Sequence, residues 1–193
     1  GDVMDLQGEN RIIVKHGLRQ LASTLRPGLQ ALIRVNNLEG AEITAYHVGF
    51  VLGPCINASG RLDTATRALA LLCAEKREEA EKLAGDLYDL NLSRKAMTEQ
   101  GKERAIEEIE IRGLNKDRVL VVYLSECHES LAGIIAGRIR ELYHKPAFVL
   151  TKAENGVKGS GRSIEAYSMY EELCKCQELF TKFGGHPMAG SEK

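Results

Sequence analysis

The spacing of apolar residues along the first third of the chain predicts a series of helices. Four are predicted, over residues 10–25, 29–35, 41–53 and 65–74. The third ends at Gly53-Pro54, because a glycine followed by a proline interrupts a helical pattern. Asp63 or Thr64 can cap the fourth. Residues 55–62, which lie between the last two helices, are predicted to form a loop.

Residues 75–111 are the longest segment with a single pattern. The segment contains no proline, is rich in glutamate, lysine and arginine, and has apolar residues at helical intervals, which predicts one helix. At about 1.5 Å per residue, roughly 36 residues span about 54 Å, more than the width of a small domain. A polar helix of that length is typical of a bridge between two lobes, so we place the domain boundary on it. A solvated coiled-coil arm is the alternative, although Gly85 and Gly101 interrupt any heptad pattern.

The pattern changes to that of a sheet after residues 112–115. Strands are predicted over residues 118–124, 146–151 and 157–164. A helix predicted over residues 131–143 separates the first two strands, which makes a βαβ unit with parallel pairing. The Glu-Asn-Gly turn at residues 154–156 favours a hairpin with the third strand. The expected fold class is therefore α/β, with a helical N-terminal segment and a long connecting helix followed by a small mixed-sheet α/β domain.

Composition excludes several classes of protein. The chain has 193 residues, of which 44% are hydrophobic, which is enough to form a core and too many for a disordered protein. Lysine and arginine number 26 against 27 aspartates and glutamates, so the net charge of -1 draws neither nucleic acid nor membrane to the whole molecule. Any binding of polyanions must therefore be local.

The cysteines and the apolar runs bear on location. The five cysteines include no Cys-x-x-Cys pair, which favours ordinary thiols in a reducing compartment and hence a cytoplasmic protein. No apolar run approaches the roughly 20 residues that span a bilayer, and no signal peptide is visible, so no membrane partner is expected. The chain starts at Gly1 without an initiator methionine, from which we expect a fragment of a longer protein.

Two polar segments are candidates for binding anions. Residues 57–61 read Asn-Ala-Ser-Gly-Arg, in which small residues permit close approach and Arg61 can hold a phosphate with two parallel hydrogen bonds. A helix-capping loop explains this segment equally well. Residues 127–130 read Cys-His-Glu-Ser and follow the first strand at its carboxyl end, where α/β sheets bind ligands. Simple capping of the next helix by Ser130 is the alternative.

Three further features carry candidate chemistry. Residues 159–163, Gly-Ser-Gly-Arg-Ser, place Arg162 between hydroxyl groups in a strand whose glycines indicate a bulge or a ligand contact. Residues 183–187, Phe-Gly-Gly-His-Pro, are predicted to be a constrained turn that presents His186, for which a structural role is the alternative. Asp2 is a candidate metal ligand, although a single aspartate near a terminus is a generic feature.

In this order, the segments resemble the RecJ family of single-stranded-DNA-specific exonucleases, in the DHH phosphoesterase superfamily, over essentially the whole chain. The resemblance rests on residues 2–6, 9–11, 15–18, 56–62 (Ile-Asn-Ala-Ser-Gly-Arg-Leu), His128-Glu129, 133–136 (Gly-Ile-Ile-Ala), Arg138, 159–163 and 184–189 (Gly-Gly-His-Pro-Met-Ala).

The resemblance implies a domain organisation. In that family a catalytic DHH domain holds two divalent metals, Mn²⁺ or Mg²⁺, and a long helix joins it to a DHH-associated domain that carries Gly-Gly-His. DNA threads the cleft between the two domains. Residues 1–74 are accordingly expected to be the C-terminal tail of the DHH domain, residues 75–112 the connecting helix, and residues 113–193 a truncated DHH-associated, substrate-binding domain.

The resemblance also implies roles for individual residues. His186 is the expected catalytic residue, and Asp2 corresponds to the last metal-ligand aspartate of the DHH domain. The expected substrate-binding residues are Asn57, Arg61, His128, Ser160, Gly161, Arg162, Gly184 and Gly185. Two metals would activate water and stabilise charge, while His186 and Arg162 add hydrogen bonds to the phosphoryl oxygens.

The departures from the family pattern define what is expected of this chain. The family's earlier metal-binding motifs would lie upstream of Gly1, so most of the two-metal site is expected outside the chain. The expected function is part of a 5′-to-3′ single-stranded-DNA-specific exonuclease of DNA repair and recombination, in which this chain supplies the substrate clamp and is inactive alone. Single-stranded DNA is the expected partner, and other repair proteins are candidate partners of the longer protein.

Two other functions stay open at this point. A nano-RNase or cyclic-dinucleotide phosphodiesterase of the same superfamily also carries Gly-Gly-His, but typically lacks the segment at 57–61 and the long helix. A non-catalytic module that binds single strands is the third candidate, against which stand the near-neutral charge and the 5% of aromatic residues.

Overall fold

The computed structural model describes residues 4–153 and 156–192. The chain divides into two compact units, Gly1–Arg94 and Lys95–Lys193. None of the described helices is both long and apolar enough to cross a membrane.

The first unit consists of helices. They are α1 (Gly8–Ala22), α2 (Pro27–Val35), α3 (Ala45–His47), a π-helical segment (Val48–Leu52), α4 (Gly53–Leu62), α5 (Ala65–Cys73) and the first part of α6 (Arg77–Ile111). The predicted helices at 10–25, 29–35 and 65–74 are confirmed, with ends shifted by a few residues. Thr64 directly precedes α5, although its side chain makes no capping hydrogen bond. Apolar side chains of α2, α4, α5 and α6, including the fully buried Leu71 and Leu87, form the core of this unit.

The prediction of a loop at residues 55–62 is wrong, because the helix continues through Gly53-Pro54 as α4. The helix also begins later than predicted, at Ala45 rather than at residue 41. The π-helical segment explains the continuity, since the Gly53 N–H donates to the Val48 carbonyl five residues back. Pro54 lies where the hydrogen-bonding pattern changes from the π-helical segment to α4.

The predicted long helix is confirmed as α6. It ends at Ile111, shortly before Gly113, whose backbone is in the left-handed conformation (φ 67°). Its Ala80 and Ala84 are buried in the core of the first unit, and its Ala105 and Ile109 in the core of the second. The helix is therefore packed along both parts of its length, unlike a solvated coiled-coil arm. The division of the chain into three domains stays a prediction.

The second unit is a mixed five-stranded sheet with helices on both faces. After the end of α6 come β1 (Leu120–Tyr123), α7 (Ala132–Tyr143), β2 (Ala147–Ala153), β3 (Gly156–Arg162), α8 (Met169–Cys174), β4 (Phe183–His186) and β5 (Ala189–Glu192). Short 3₁₀ helices lie at Leu114–Lys116, Glu129–Leu131 and Gln177–Leu179. The strand order is β1-β2-β3-β5-β4, and only the β1–β2 pair among these is parallel.

This topology confirms the α/β fold class, the βαβ unit and the antiparallel pairing of β2 with β3. The predicted turn at 154–156 lies partly outside the described residues. Side chains alternate across the sheet, so Val149 of β2 packs in the core under α7 while its neighbour Phe148 packs with Met169 and Leu173 of α8.

Gly53 provides a test of the π-helical segment. A Cβ at position 53 would lie 2.7 Å from the Val48 carbonyl oxygen, whereas a Cβ at Gly85 in α6 meets nothing within 4 Å. Gly53→Ala should therefore lower the thermal midpoint of unfolding, by the equivalent of about 1–3 kcal/mol, because the backbone must shift. Gly85→Ala is the matched control and should raise the midpoint, since alanine favours a helix by up to about 1 kcal/mol. Circular dichroism during heating measures both midpoints. Equal midpoints for the two variants would contradict this explanation.

Candidate functional site

In the first unit, Asn57 and Arg61 lie one helical turn apart on the exposed side of α4. Cys55, Ala58 and Ser59 face the opposite way and are buried. The alternation of these residues has the period of a helix, and this was the signal in the sequence that the loop prediction missed. The structure therefore brings Asn57 and Arg61 side by side on a rigid element.

In the second unit, the sheet register aligns the other predicted residues. Arg162 pairs with Ala189, which pairs with His186, so these residues form one row across β3, β5 and β4. Ser160 and Gly184 lie together in the row two residues away. Residues in one row, and residues two apart on a strand, point to the same face of a sheet. Ser160, Arg162 and His186 thus share one face, and two strand spacings separate Arg162 from His186 by about 10 Å.

The Arg162 side chain lies along α7 rather than in open solvent. Its Nη1 donates to the Gly161 carbonyl oxygen at 2.7 Å and to Ser160 Oγ at 3.2 Å. Ser160 Oγ in turn donates to the Gly190 carbonyl oxygen at 3.5 Å. The guanidinium is next to Gly133, the second residue of α7. A cation beside the positive end of a helix dipole is electrostatically unfavourable, and a bound anion between them removes that penalty.

The glycines of this region differ in what they do. A Cβ at Gly161 would lie 2.5 Å from Met169 Sδ and 2.6 Å from Phe148 Cε1, so this glycine lets α8 pack against β3. A Cβ at Gly185 would lie 2.3 Å from the Ala189 carbonyl oxygen within the β4–β5 hairpin. A Cβ at Gly184 meets nothing within 4 Å, so this glycine borders open space. The substrate contacts predicted for all three stay predictions.

The predicted turn at residues 183–187 is instead strand β4, which ends at His186, and Pro187-Met188 connects it to β5. Strand pairing with β5 holds the two glycines extended, which local sequence does not reveal. His186 is exposed, and its Nδ1 accepts a hydrogen bond from the Met188 N–H at 3.3 Å. In the neutral ring that bond places the proton on Nε2, which is then the donor.

His128 lies apart from this row. It follows β1 at its carboxyl end, whereas Arg162 aligns with Leu120 at the opposite end of that strand, through Ala147. Its Nδ1 accepts from the Ser130 N–H at 3.3 Å, so the His128 side chain caps the short 3₁₀ helix Glu129–Leu131. His128 lines a cavity of about 220 Å³ between the β1 loop and the second half of α6, with Met97, Gln100, Gly101, Arg104, Glu107, Glu108, Tyr123, Leu124, Ser125, Glu126, Cys127 and Leu131.

The described residues contain no group of three or more histidine, cysteine, aspartate or glutamate side chains placed to hold a metal ion. The described residues therefore do not form by themselves the two-metal centre that the resemblance implies, most of which is expected outside this chain. The predicted metal ligand Asp2 lies outside the described residues.

Cys127 in the cavity is a thiol that burial keeps protonated. It is half-buried, and desolvation raises its pKa. Because the raised pKa means that the reactive thiolate appears only at higher pH, iodoacetamide should modify Cys127 more slowly than the exposed Cys73 between about pH 7 and pH 9. Peptide mass spectrometry over time measures both rates in one sample. Faster modification of Cys127 would contradict this assignment.

Comparison with known proteins identifies what this chain is similar to. The DHHA1 domain family matches residues 116–191, which include all of the sheet up to β5. The single-stranded-DNA-specific exonuclease RecJ of Bacillus subtilis is 38% identical over 190 residues, which are 97% of this chain and 24% of that protein. RecJ of Escherichia coli is 37% identical over 197 residues, covering 97% of this chain and 34% of that protein.

Solved structures agree on the fold. The crystal structure of RecJ from Thermus thermophilus in complex with Mg²⁺ superposes with a TM-score of 0.87 at 31% identity, covering 99% of this chain and 29% of that one. A crystal structure of exonuclease RecJ bound to manganese gives a TM-score of 0.82 at 31% identity, covering 97% of this chain and 46% of that one. The chain spans about a quarter to a third of the length of the curated relatives that it matches. Residues 116–191 thus match the DHHA1 domain, and nearly the whole chain is similar to the C-terminal part of the RecJ exonucleases.

Proposed function

We propose that this chain is the substrate-binding part of a 5′-to-3′ single-stranded-DNA-specific exonuclease that acts in DNA repair and recombination. The observation that carries the proposal is the row in which Arg162 and His186 share one face of the DHHA1 sheet, with Ser160 beside them. A planar guanidinium and an imidazole Nε2–H are both donors suited to phosphate oxygens. The names of the relatives support DNA as the polyanion and give no support to a dinucleotide hydrolase.

The charges around the row support a local phosphate site on a chain of balanced charge. Lys158, on the same strand as Arg162, pairs with Glu129 at 3.1 Å, so its charge is largely compensated. The Arg162 guanidinium lies against β3 and the start of α7, where the positive end of the helix dipole adds to the local positive potential. One phosphate of the DNA backbone would accept hydrogen bonds from Arg162. Another phosphate, further along the DNA strand, would accept a hydrogen bond from His186. His186 is thereby assigned to an oxygen on which negative charge develops.

The domain organisation follows from the same proposal. Residues 1–74 would be the tail of the DHH domain, residues 75–112 the connecting helix and residues 113–193 the substrate-binding domain. Asn57 and Arg61 would hold DNA phosphate from the first of these. The longer protein would use Mn²⁺ or Mg²⁺ with Asp2 among the ligands, and would act in the cytoplasm, where its cysteines stay reduced. Other repair proteins would be partners of that longer protein.

Binding of single-stranded DNA by this chain tests the proposal. Fluorescence anisotropy with a labelled oligothymidylate should give a Kd that rises at least about tenfold in Arg162→Ala, since a hydrogen bond to a charged group contributes about 1.5–3 kcal/mol. The slope of log Kd against log salt should also fall by about 0.7, the value for one phosphate contact on a single strand.

Arg138→Ala is the matched control, because Arg138 is an exposed arginine of α7 that pairs with Glu141 at 3.2 Å. Its Kd should stay within about twofold of the unaltered chain, as is usual for a surface ion pair. If the two variants lost equal affinity, binding would depend only on the overall charge of the chain, which would contradict a specific phosphate site at Arg162. Robust Mn²⁺-dependent cleavage of DNA by the chain alone would contradict its assignment to substrate binding.

A further inference from the structure

Gly133 lies where the start of α7 meets the two polar side chains of β3. A Cβ at this position would be 2.8 Å from Arg162 Nη2, 3.3 Å from Arg162 Cζ and 2.8 Å from Ser160 Oγ. Real Cβ atoms do not come this close to other heavy atoms, so any side chain at position 133 would push both groups away. The guanidinium and the hydroxyl therefore lie directly against the α7 backbone at Gly133.

The Arg162 guanidinium is held by contacts on two sides. On one side Nη1 donates to the Gly161 carbonyl oxygen and to Ser160 Oγ, and on the other the α7 backbone at Gly133 limits where Nη2 can go. An arginine side chain has many rotamers and loses most of that freedom when it orders. A side chain that is already ordered in the unbound protein loses less of it on binding, which strengthens the complex.

We propose that Gly133 is a positioning residue for phosphate binding, because its lack of a side chain fixes the place of the Arg162 guanidinium and the Ser160 hydroxyl. The proposal rests on the proposed function for the nature of the ligand, a phosphate of single-stranded DNA. It assigns to an uncharged helical residue an effect on DNA affinity that acts through Arg162.

The atoms next to a glycine show whether its role is only to allow packing of the core. Gly101 of α6 is a packing glycine, since its Cβ would lie 2.5 Å from Ile135 Cδ1 in the apolar core. The neighbours of Gly133 are the far ends of two flexible polar side chains, which can move aside without disturbing the core. Alanine at 133 should therefore change the geometry of the site and leave the fold intact.

Gly137 provides the matched control, one turn further along α7. A Cβ at Gly137 would lie 3.9 Å from Arg162 Cγ, which is an ordinary contact that leaves the guanidinium in place. Alanine is a better helix former than glycine, so neither Gly133→Ala nor Gly137→Ala should lower the thermal midpoint. Gly133→Ala should raise the Kd for oligothymidylate about tenfold, and Gly137→Ala should leave it within about twofold.

A double variant tests whether the effect passes through Arg162. If it does, Gly133→Ala combined with Arg162→Ala should bind no more weakly than Arg162→Ala alone. A second readout needs no DNA: the NMR signal of the Arg162 Nε–H should move in Gly133→Ala and stay in place in Gly137→Ala.

The outcomes separate the two proposals. Wild-type affinity in Gly133→Ala, with affinity lost in Arg162→Ala, would overturn the role of Gly133 and leave the proposed function standing. Independent, additive losses in the double variant would also overturn it. If the chain binds no single-stranded DNA, the proposed function fails, and the Arg162 signal alone then decides: a shift confined to Gly133→Ala supports the positioning role, and an unchanged signal overturns it.

Discussion

The site depends on how closely two helices approach β3 from its opposite faces. On one face α7 lies so near the strand that position 133 has no room for a side chain, and on the other face α8 leaves none at position 161. A strand confined in this way has little freedom to shift or twist. The backbone from which Arg162 and Ser160 project is therefore fixed in place, and both side chains lie in the narrow space beside α7.

Under the proposed function, rigid placement matters because this chain carries little net charge with which to attract DNA. With a net charge of -1, the chain has no general attraction for a polyanion, so the proposed binding would depend on a few well-placed donors. Several basic residues are compensated by neighbours, as Lys158 is by Glu129 and Arg138 by Glu141. The Arg162 guanidinium donates to the Gly161 carbonyl oxygen and to the Ser160 hydroxyl, and it lies beside the start of α7.

Local patterns in the sequence predicted most of the elements, and long-range contacts account for what they missed. The helical period of α6, the apolar runs of β1 and β2 and the βαβ order are properties of neighbouring residues, and each was predicted. Residues 55–62 were misassigned because a Gly-Pro pair normally ends a helix, and the π-helical segment that absorbs it depends on a backbone bond to Val48. The extended form of the Gly-Gly-His segment depends on pairing with a strand that follows it.

The same limit applies to the site. Motifs identified Arg162 and His186 separately, but their common row arises because β5 inserts between β3 and β4, an order for which the sequence has no local signal. His128 belonged to the same set of motifs, and the fold places it at the other end of the sheet beside a separate cavity. Gly133 stood in a matching motif without an assigned role, since only the approach of Arg162 gives it one.

The claim that one face of the DHHA1 sheet binds single-stranded DNA is tested most directly by NMR titration of the isotope-labelled chain with oligothymidylate. Amide signals should move most at Gly133, Ser160, Arg162 and His186, with little change along α8 (Met169–Cys174) on the opposite face. Saturating shifts that centre on α8, or that leave the row of Arg162 and His186 unchanged, would contradict it.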